Sequence, residues 1–186
     1  SRRQRQMCIR DSFTGMDIAN ASLLDEGTAA AEAMGLSHRL DKKDNKIVFI
    51  SNDCHPQTIE VVKTRSEPLG LKVVIGDDED LSNISEDIIC GILQYPGTLG
   101  DIKDPSENIS KIKKRNGKSI LVCDLLSLAK LKTPAELGAD IAVGSSQRFG
   151  IPMGYGGPHA AFFATKDEFK RSMPGRIVGV SVDRHG

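Results

Sequence analysis

The sequence predicts an α/β domain with a mainly parallel sheet and helices on both faces of that sheet. Two observations support this prediction. Short apolar runs alternate with segments of helical composition, and the runs are almost continuously apolar instead of alternating with polar residues. Continuously apolar strands are typical of a sheet that is buried on both faces. Strand, helix, strand order favours parallel pairing, because a return to the same edge of the sheet needs a crossover.

Six apolar runs are the predicted strands. Each is short, as expected of a buried strand, and most are rich in Ile, Val and Leu. They are Ile47–Ile50, Leu71–Ile75, Ile88–Leu93, Ser119–Cys123, Ile141–Val143 and Ala160–Ala164.

Three segments between the runs are the predicted helices. Asp25–Met34 is rich in Ala and Glu. Pro56–Ser66 and Pro105–Arg115 both begin with proline, which suits the first helical turn, and the second ends in a basic run before Gly117.

Composition excludes several classes of protein. The chain has 186 residues, which favours one domain or part of one, and its 25 basic and 25 acidic residues give no net charge. A charge-driven partner such as nucleic acid is therefore not expected, nor is a membrane, because no apolar run approaches the ~18 residues of a membrane helix. The four cysteines are widely spaced and have no metal-ligand spacing with the histidines, so we expect no metal site.

The two ends of the chain predict an incomplete domain. Residues 1–12 carry four arginines and no helical or strand period, so they are interpreted as a non-native or artefactual segment, with a transit-peptide remnant as the alternative. Residues 13–186 are expected to be part of one domain, since no closing helix or strand follows the last apolar stretch.

Two loops near the predicted strands and helices are candidates for ligand contact, because ligands of open α/β sheets bind beyond the carboxyl ends of the strands. Gly27 and Thr28 open a helix whose free N–H groups suit a phosphate, although a plain helix cap by Asp25 or Thr28 explains them equally well. His55 follows the first strong strand, where it could stack on a ligand, move a proton or simply form a loop hydrogen bond.

Asp124 and a glycine-rich loop are the other candidates. Asp124 directly follows the Ser119–Cys123 run, and metal ligation, pairing to a cationic ring nitrogen and capping of a helix over Leu125–Leu131 all remain open. The segment from Ala142 to His159 contains closely spaced glycines that permit close backbone approach. It contains neither a P-loop nor a dinucleotide fingerprint.

Several longer motifs resemble the P-protein family of the glycine cleavage system. The resemblance covers about residues 16 to 183 in order. It is carried by Ala21–Met34, Cys54–Thr58, Gln94–Pro96, Gly144–Gly150, Gly154–Phe163 and Met173–Gly179. It implies the large domain of a fold-type-I, pyridoxal-phosphate-dependent transferase. It also implies an enzyme that decarboxylates glycine and passes the aminomethyl group to the lipoyl arm of the H-protein.

The resemblance further implies that this is the N-terminal of two homologous halves. Enzymes of this fold place an acid after one strand and a Schiff-base lysine about two dozen residues later; Asp124 fits the acid, and the later position holds Gln147. An amide forms no imine. We therefore expect no catalytic residue in this chain and pyridoxal phosphate bound covalently by the C-terminal half. Glu26, Gly27, Thr28, His55 and Asp124 remain candidate positions of a cofactor cradle.

The implied partners are the C-terminal half or a β subunit, the lipoylated H-protein, glycine, and a second copy in a homodimer or larger oligomer. The fragment alone is expected to be inactive. The alternative is a pseudo-enzymatic binding or scaffold module of the same fold. A mitochondrial location is expected if the source is eukaryotic, which is favoured here, and a cytoplasmic one if it is bacterial.

Arg148 and Arg176 have no acidic neighbour within two residues. Arginine suits bidentate recognition of a carboxylate or phosphate. Arg148 is therefore predicted to project into the contact between the halves, where it forms part of an active-site wall. The alternative is an internal ion pair with a remote Asp or Glu.

Overall fold

A computed structural model describes residues 12–175, which form a seven-stranded sheet with helices packed on it. The segment 1–12, apart from Ser12, lies outside the described residues, as does Arg176. The strands are β1 (Ile18–Ala19), β2 (Ile47–Ser51), β3 (Lys72–Gly76), β4 (Cys90–Tyr95), β5 (Lys118–Cys123), β6 (Ile141–Ser145) and β7 (Ala161–Thr165).

The sheet has the order β1-β7-β6-β5-β4-β2-β3. The five strands from β3 to β6 pair in parallel, with Ile50 opposite Ile92 and Ile120 opposite Ile141. At the other edge β7 runs antiparallel to both β6 and β1. The prediction of a mainly parallel sheet is therefore confirmed, with one antiparallel edge.

Helices cover both faces, as predicted. The longer ones are α1 (Glu26–Leu40), α2 (Pro56–Ser66), α3 (Asp78–Asn83) and α4 (Ser106–Lys114). Residues of α1 and α2 share one buried cluster with Val48, Ile92 and Val122 of the sheet. Residues of α3 and α4 share a second cluster with Phe49, Leu93 and Leu121, whose side chains point to the opposite face. Alternate residues of each buried strand thus serve separate cores.

α1 is the central helix of the first face. Asp25 caps its N-terminus by accepting a hydrogen bond from the Thr28 N–H at 2.7 Å. A Cβ on Gly27 would lie 3.3 Å from Val61 of α2, so the glycine permits close packing of the two helices. The helix continues to Leu40, six residues beyond the predicted end at Met34, because Leu36 and Ser37 are buried in the same face.

The segment after Asp124 differs from the sequence prediction. In place of a helix over Leu125–Leu131, a single 3₁₀ turn spans Ser127–Ala129. Asp124 closes this turn, since its carboxylate accepts from the Leu126 N–H and its carbonyl from Ser127. Two elements had no clear signal in the sequence: the two-residue strand β1 and the short helix α3, which has a capping box formed by Asp77 and Asp80.

The parallel pairing brings the carboxyl ends of β2, β4, β5 and β6 to one edge of the sheet, and α1 begins at that edge. Within residues 12–175, no helix combines the length and the apolar composition needed to cross a membrane.

Candidate functional site

A cavity of about 590 Å³ lies at this edge of the sheet. Its size is that of a small-molecule site. Seven of the residues singled out in the sequence line it, and Thr28 does not. The lining residues are Asp25, Glu26, Gly27, His55, Gln57, Thr58, Val61, Gln94, Pro96, Gly97, Asp124, Ser145, Gln147, Arg148 and His159.

Glu26 connects the start of α1 to the end of β6. Its Oε2 accepts a hydrogen bond from the Ser145 N–H at 3.3 Å. The side chain is only 19% exposed. Burial is the largest cause that raises the pKa of Glu26 to about 7; the hydrogen bond from Ser145 opposes the rise, and the negative charges of Asp124 and Asp25 add to it. Glu26 is therefore a carboxyl that gains and loses a proton near neutral pH.

His55 lines the cavity next to Glu26. Its Nε2 is 3.7 Å from Glu26 Oε1, and its Nδ1 is 2.8 Å from the Thr98 hydroxyl. Pro56 starts α2 directly after it, so His55 occupies the N-cap position without capping the helix through its side chain. The geometry holds the imidazole between the loop after β4 and the start of α1.

Asp124 and Arg148 form an ion pair at the ends of β5 and β6. The pair joins Arg148 Nη1 to Asp124 Oδ2, and the other carboxylate oxygen accepts from Leu126 N–H. Asp124 is 26% and Arg148 61% exposed. The internal ion pair with a remote acid, given above as the alternative for Arg148, is thus present, and Arg148 also lines the cavity.

Gln147 lines the same wall. Its backbone N–H donates to Ser145 Oγ at 3.2 Å. Its side-chain Nε2 donates to the Gly156 carbonyl at 2.8 Å, so the amide is directed to the loop that precedes β7.

Thr28 does not line the cavity and belongs to the helix cap instead. Its N–H is bonded to the Asp25 carboxylate, and Glu26 adds a second carboxylate to the first turn of α1. Negative charge at this helix end disfavours a phosphate, since both would occupy the positive end of the helix dipole. Within the described part of the chain, no group of three or more His, Cys, Asp or Glu side chains is placed to hold a metal ion.

Gln94 and Ser145 are lining residues that the sequence analysis included only within longer motifs and did not single out. Gln94 alternates with Cys90 and Ile92 along β4 and faces α1, and its Oε1 is buried without a hydrogen-bond partner. A polar residue near the end of an otherwise apolar run was the available signal. His159 lay within the glycine-rich segment but was not distinguished from its neighbours.

Gly144 sets the distance between β5 and β6 at this edge. A Cβ there would lie 2.0 Å from the Cys123 carbonyl oxygen and 2.8 Å from the Phe162 ring. Only glycine allows β6 to approach this closely, just before the residues that form the cavity wall.

Several exposed apolar side chains belong to the segments that supply the cavity wall. Nine large apolar residues are exposed in the described chain, and seven of them lie in segments that also supply a lining residue. We name these seven the apolar rim: Leu24, Leu99, Ile102, Leu126, Phe149, Met153 and Tyr155. Grouped exposed apolar residues mark interaction surfaces more often than scattered ones do.

Comparisons with known proteins agree on one family. The sequence model described as "Glycine cleavage system P-protein" matches residues 4–186. The glycine dehydrogenase (decarboxylating) of Pelagibacter ubique is 79% identical over 182 residues, which cover 98% of this chain and 19% of that protein. The protein of the same name from Synechocystis sp. is 59% identical over 174 residues, covering 94% of this chain and 18% of the relative.

A solved structure gives the same result. The inhibitor-bound crystal structure of a glycine decarboxylase (P-protein) superposes with a TM-score of 0.86 at 34% identity, covering 97% of this chain and 42% of that one. The chain therefore spans about a fifth of the length of the curated relatives that it matches.

Proposed function

The chain belongs to the glycine cleavage system P-protein family, and we propose that it is a segment of an enzyme that decarboxylates glycine and transfers the aminomethyl group to the lipoyl arm of the H-protein. Its fold is that of the large domain of fold-type-I pyridoxal-phosphate-dependent transferases. The relatives that match nearly the whole chain are named glycine dehydrogenase (decarboxylating), and this similarity is the main support for the proposal.

Within that enzyme, we assign the chain to the half that does not hold the cofactor. Pyridoxal phosphate would supply an imine and an electron sink for decarboxylation. The lining residues do not fit it: no lysine lines the cavity, Arg148 neutralises Asp124, and two carboxylates stand at the start of α1. Glu26, Gly27, His55 and Asp124 are therefore proposed to shape the wall of a cofactor-free cavity, whereas Thr28 belongs to the helix cap. Covalent binding of the cofactor falls to the C-terminal half.

The partner that these observations favour is the remainder of the protein. Most of the length of the relatives lies outside this chain. The apolar rim exposes side chains such as Leu99 and Met153, at 90% and 76%. Burial of such side chains on a second domain would remove apolar surface from water. We propose that the C-terminal half, or a β subunit, covers this end, that glycine and the H-protein meet the assembled enzyme, and that the enzyme forms a homo-oligomer.

For the location of the enzyme we propose a bacterial cytoplasm. The relatives described above come from bacteria. The mitochondrial location favoured in the sequence analysis therefore gains no support from them.

A chimera tests the proposed function. Residues 4–186 replace the matching segment of the Pelagibacter ubique protein, and glycine-dependent release of carbon dioxide is measured with pyridoxal phosphate and lipoylated H-protein. We expect activity within about threefold of the parent. A folded chimera that binds the cofactor and releases no carbon dioxide would favour the scaffold alternative.

A labelling experiment tests the assignment to the cofactor-free half. The 186-residue chain is incubated with pyridoxal phosphate and reduced with borohydride. We expect scattered surface labelling of lysines on peptide mapping and no decarboxylation. One stoichiometric pyridoxylated lysine would overturn the assignment.

A further inference from the structure

Gln147 is attached by its side chain to the loop that carries the most exposed part of the apolar rim. Its Nε2 donates to the Gly156 carbonyl at 2.8 Å, and its own carbonyl accepts from the Ile151 N–H at 3.1 Å. Through these two bonds, Gln147 contacts the loop both near its start, at Ile151, and near its end, at Gly156. No other side-chain hydrogen bond in the described residues joins the loop from 149 to 159 to the rest of the chain, apart from the Ser146 bond to Ala160 just beyond it.

The tip of this loop has a backbone conformation that does not form readily. Tyr155 has a φ of 50°, in the left-handed region, and Gly156 and Gly157 follow with φ of 97° and 56°. A non-glycine residue in this region is uncommon and needs support from its surroundings. The bond from Gln147 reaches the carbonyl of the residue directly after Tyr155, so it supports the conformation at its strained point.

This conformation points two large side chains into solvent. Tyr155 is fully exposed and Met153 is 76% exposed. The segment from Phe149 to His159 contains no Asp, Glu, Lys or Arg. An uncharged loop with an aromatic tip suits contact with an apolar pocket, and aromatic and Met residues are enriched in the centres of interfaces.

We propose that Gln147 is a positioning residue for a docking loop, in which Tyr155 and Met153 insert into the part of the polypeptide that lies outside this chain. The inference rests on the proposed function, because it takes the remainder of a P-protein as the occupant. That remainder is more than half of the solved P-protein chain and about four fifths of the curated relatives. The position that would hold a Schiff-base lysine is thus used to fix an assembly contact.

Photo-crosslinking in the chimera described above tests the docking. The residue p-benzoylphenylalanine replaces Tyr155, or Leu69 as a matched control, since Leu69 is 42% exposed and lies outside the rim. The chimera is prepared in a light and a heavy isotope-labelled form, and the two are mixed before irradiation. Mass spectrometry of the crosslinked peptides then identifies the partner residue and shows whether it belongs to the same copy or to a second copy. We expect position 155 to react with residues beyond the segment 1–186, at least threefold more than position 69. Crosslinks confined to this segment, to a second copy of it, or to neither would overturn the docking.

Two variants at 147 test the positioning role. Gln147→Met keeps the length of the side chain and removes the donor, whereas Gln147→Lys keeps a donor. Both variants are measured without added pyridoxal phosphate. In Gln147→Met, the yield of the crosslink from position 155 should fall at least threefold while the melting temperature stays unchanged. In Gln147→Lys, most of the crosslink yield should be retained. An unchanged yield in the Met variant would overturn the role of Gln147.

The outcomes separate this inference from the proposed function. An active chimera without the crosslink rejects the docking loop alone. An inactive chimera with the crosslink rejects the proposed activity alone. If the Met variant fails to fold, Gln147 is required for the fold itself and the positioning role is rejected, while the crosslink in the Gln147 background still decides the docking.

Discussion

Arg148 forms an ion pair with Asp124 across the ends of two neighbouring parallel strands, β5 and β6. The register places Val122 opposite Val143, so residues just beyond each strand end approach one another. This pair satisfies an acid that would otherwise face the cavity with an unbalanced negative charge. It also distinguishes this cavity from one that offers a free carboxylate to a ligand.

The Asp124–Arg148 pair should contribute little to stability. Because Arg148 is 61% exposed, solvent screens the pair, and we expect Arg148→Ala to lower the free energy of unfolding by no more than about 1 kcal/mol. Urea denaturation of the single variants and of the double variant with Asp124→Asn measures the coupling. A coupling above about 2 kcal/mol would instead identify a core structural pair.

In the complete enzyme, we expect Arg148→Ala to lower glycine decarboxylation about tenfold or more, because Arg148 forms part of the cavity wall.

Glu26 should make the chain less stable as pH rises. Its pKa is raised to about 7 in the fold, against an ordinary value of 4.5, so the folded state prefers the protonated form. The stabilisation is complete below the unfolded pKa and is lost as pH rises from about 4.5 through 7, by up to about 3 kcal/mol. We expect Glu26→Gln to flatten this dependence in denaturation measured between pH 5 and 8.

The control for this experiment is Glu60→Gln. Glu60 is 66% exposed and pairs with Lys63 on the surface of α2. This change should leave the pH dependence of the unfolding free energy as it is. A similar flattening in both variants would show that Glu26 is not its source.

Asp140 should be an internal support of the sheet. Only 8% of its side chain is exposed, and it accepts from the Ser119 N–H and hydroxyl and from Lys166. Burial alone would raise the pKa of Asp140, but the bonds and charge from Lys166 and Ser119 outweigh it and hold the pKa below its usual value. The corresponding stability is therefore present above the unfolded pKa and lost as pH falls through the folded one.

Asp140→Asn should lower the free energy of unfolding by about 2–3 kcal/mol at pH 7, because it removes the charge that Lys166 faces. The matched change is Asp167→Asn, at an exposed pair with Lys170, which should cost well under 1 kcal/mol. Equal losses in the two variants, measured by thermal and urea denaturation, would contradict a buried role for Asp140.

The buried thiols should be unreactive in the folded chain. Burial raises the pKa of Cys90 to about 12 and raises those of Cys54 and Cys123 well above their usual range. Since the thiolate is the reactive form, a Cys8→Ser variant should react with a disulfide reagent slowly when folded and with three thiols in denaturant. Rapid labelling of one thiol without denaturant would show local opening around that residue.

The sequence predicted the buried strands well, because each forms a run that is apolar on both faces. The six predicted strands are all present, with ends shifted by two residues at most. β1 escaped prediction because two residues have no periodicity, and its position depends on pairing with β7, more than 140 positions away. Local sequence patterns do not indicate pairing between residues so far apart in the chain.

Several residues that line the cavity were singled out in the sequence, but the contacts between them were not predicted. Asp124 and Arg148 were each noted, but their pairing follows from the parallel register of β5 and β6. The raised pKa of Glu26 likewise follows from burial against β6, which composition does not reveal. The prediction of a helix after Asp124 was wrong, because Leu126 and Ser127 donate hydrogen bonds to Asp124 and form a tight turn in its place.

Gly144 finally limits how the cavity could be re-engineered. Since a methyl group there would collide with the backbone of β5 at 2.0 Å, the two strands could separate only by breaking their ladder. The wall residue 145 lies at the end of that strand, and 147 and 148 follow it directly, so a displacement of β6 at residue 144 would also move their Cα positions. Attempts to install new chemistry at position 147 should therefore hold residue 144 fixed and vary the side chains around it.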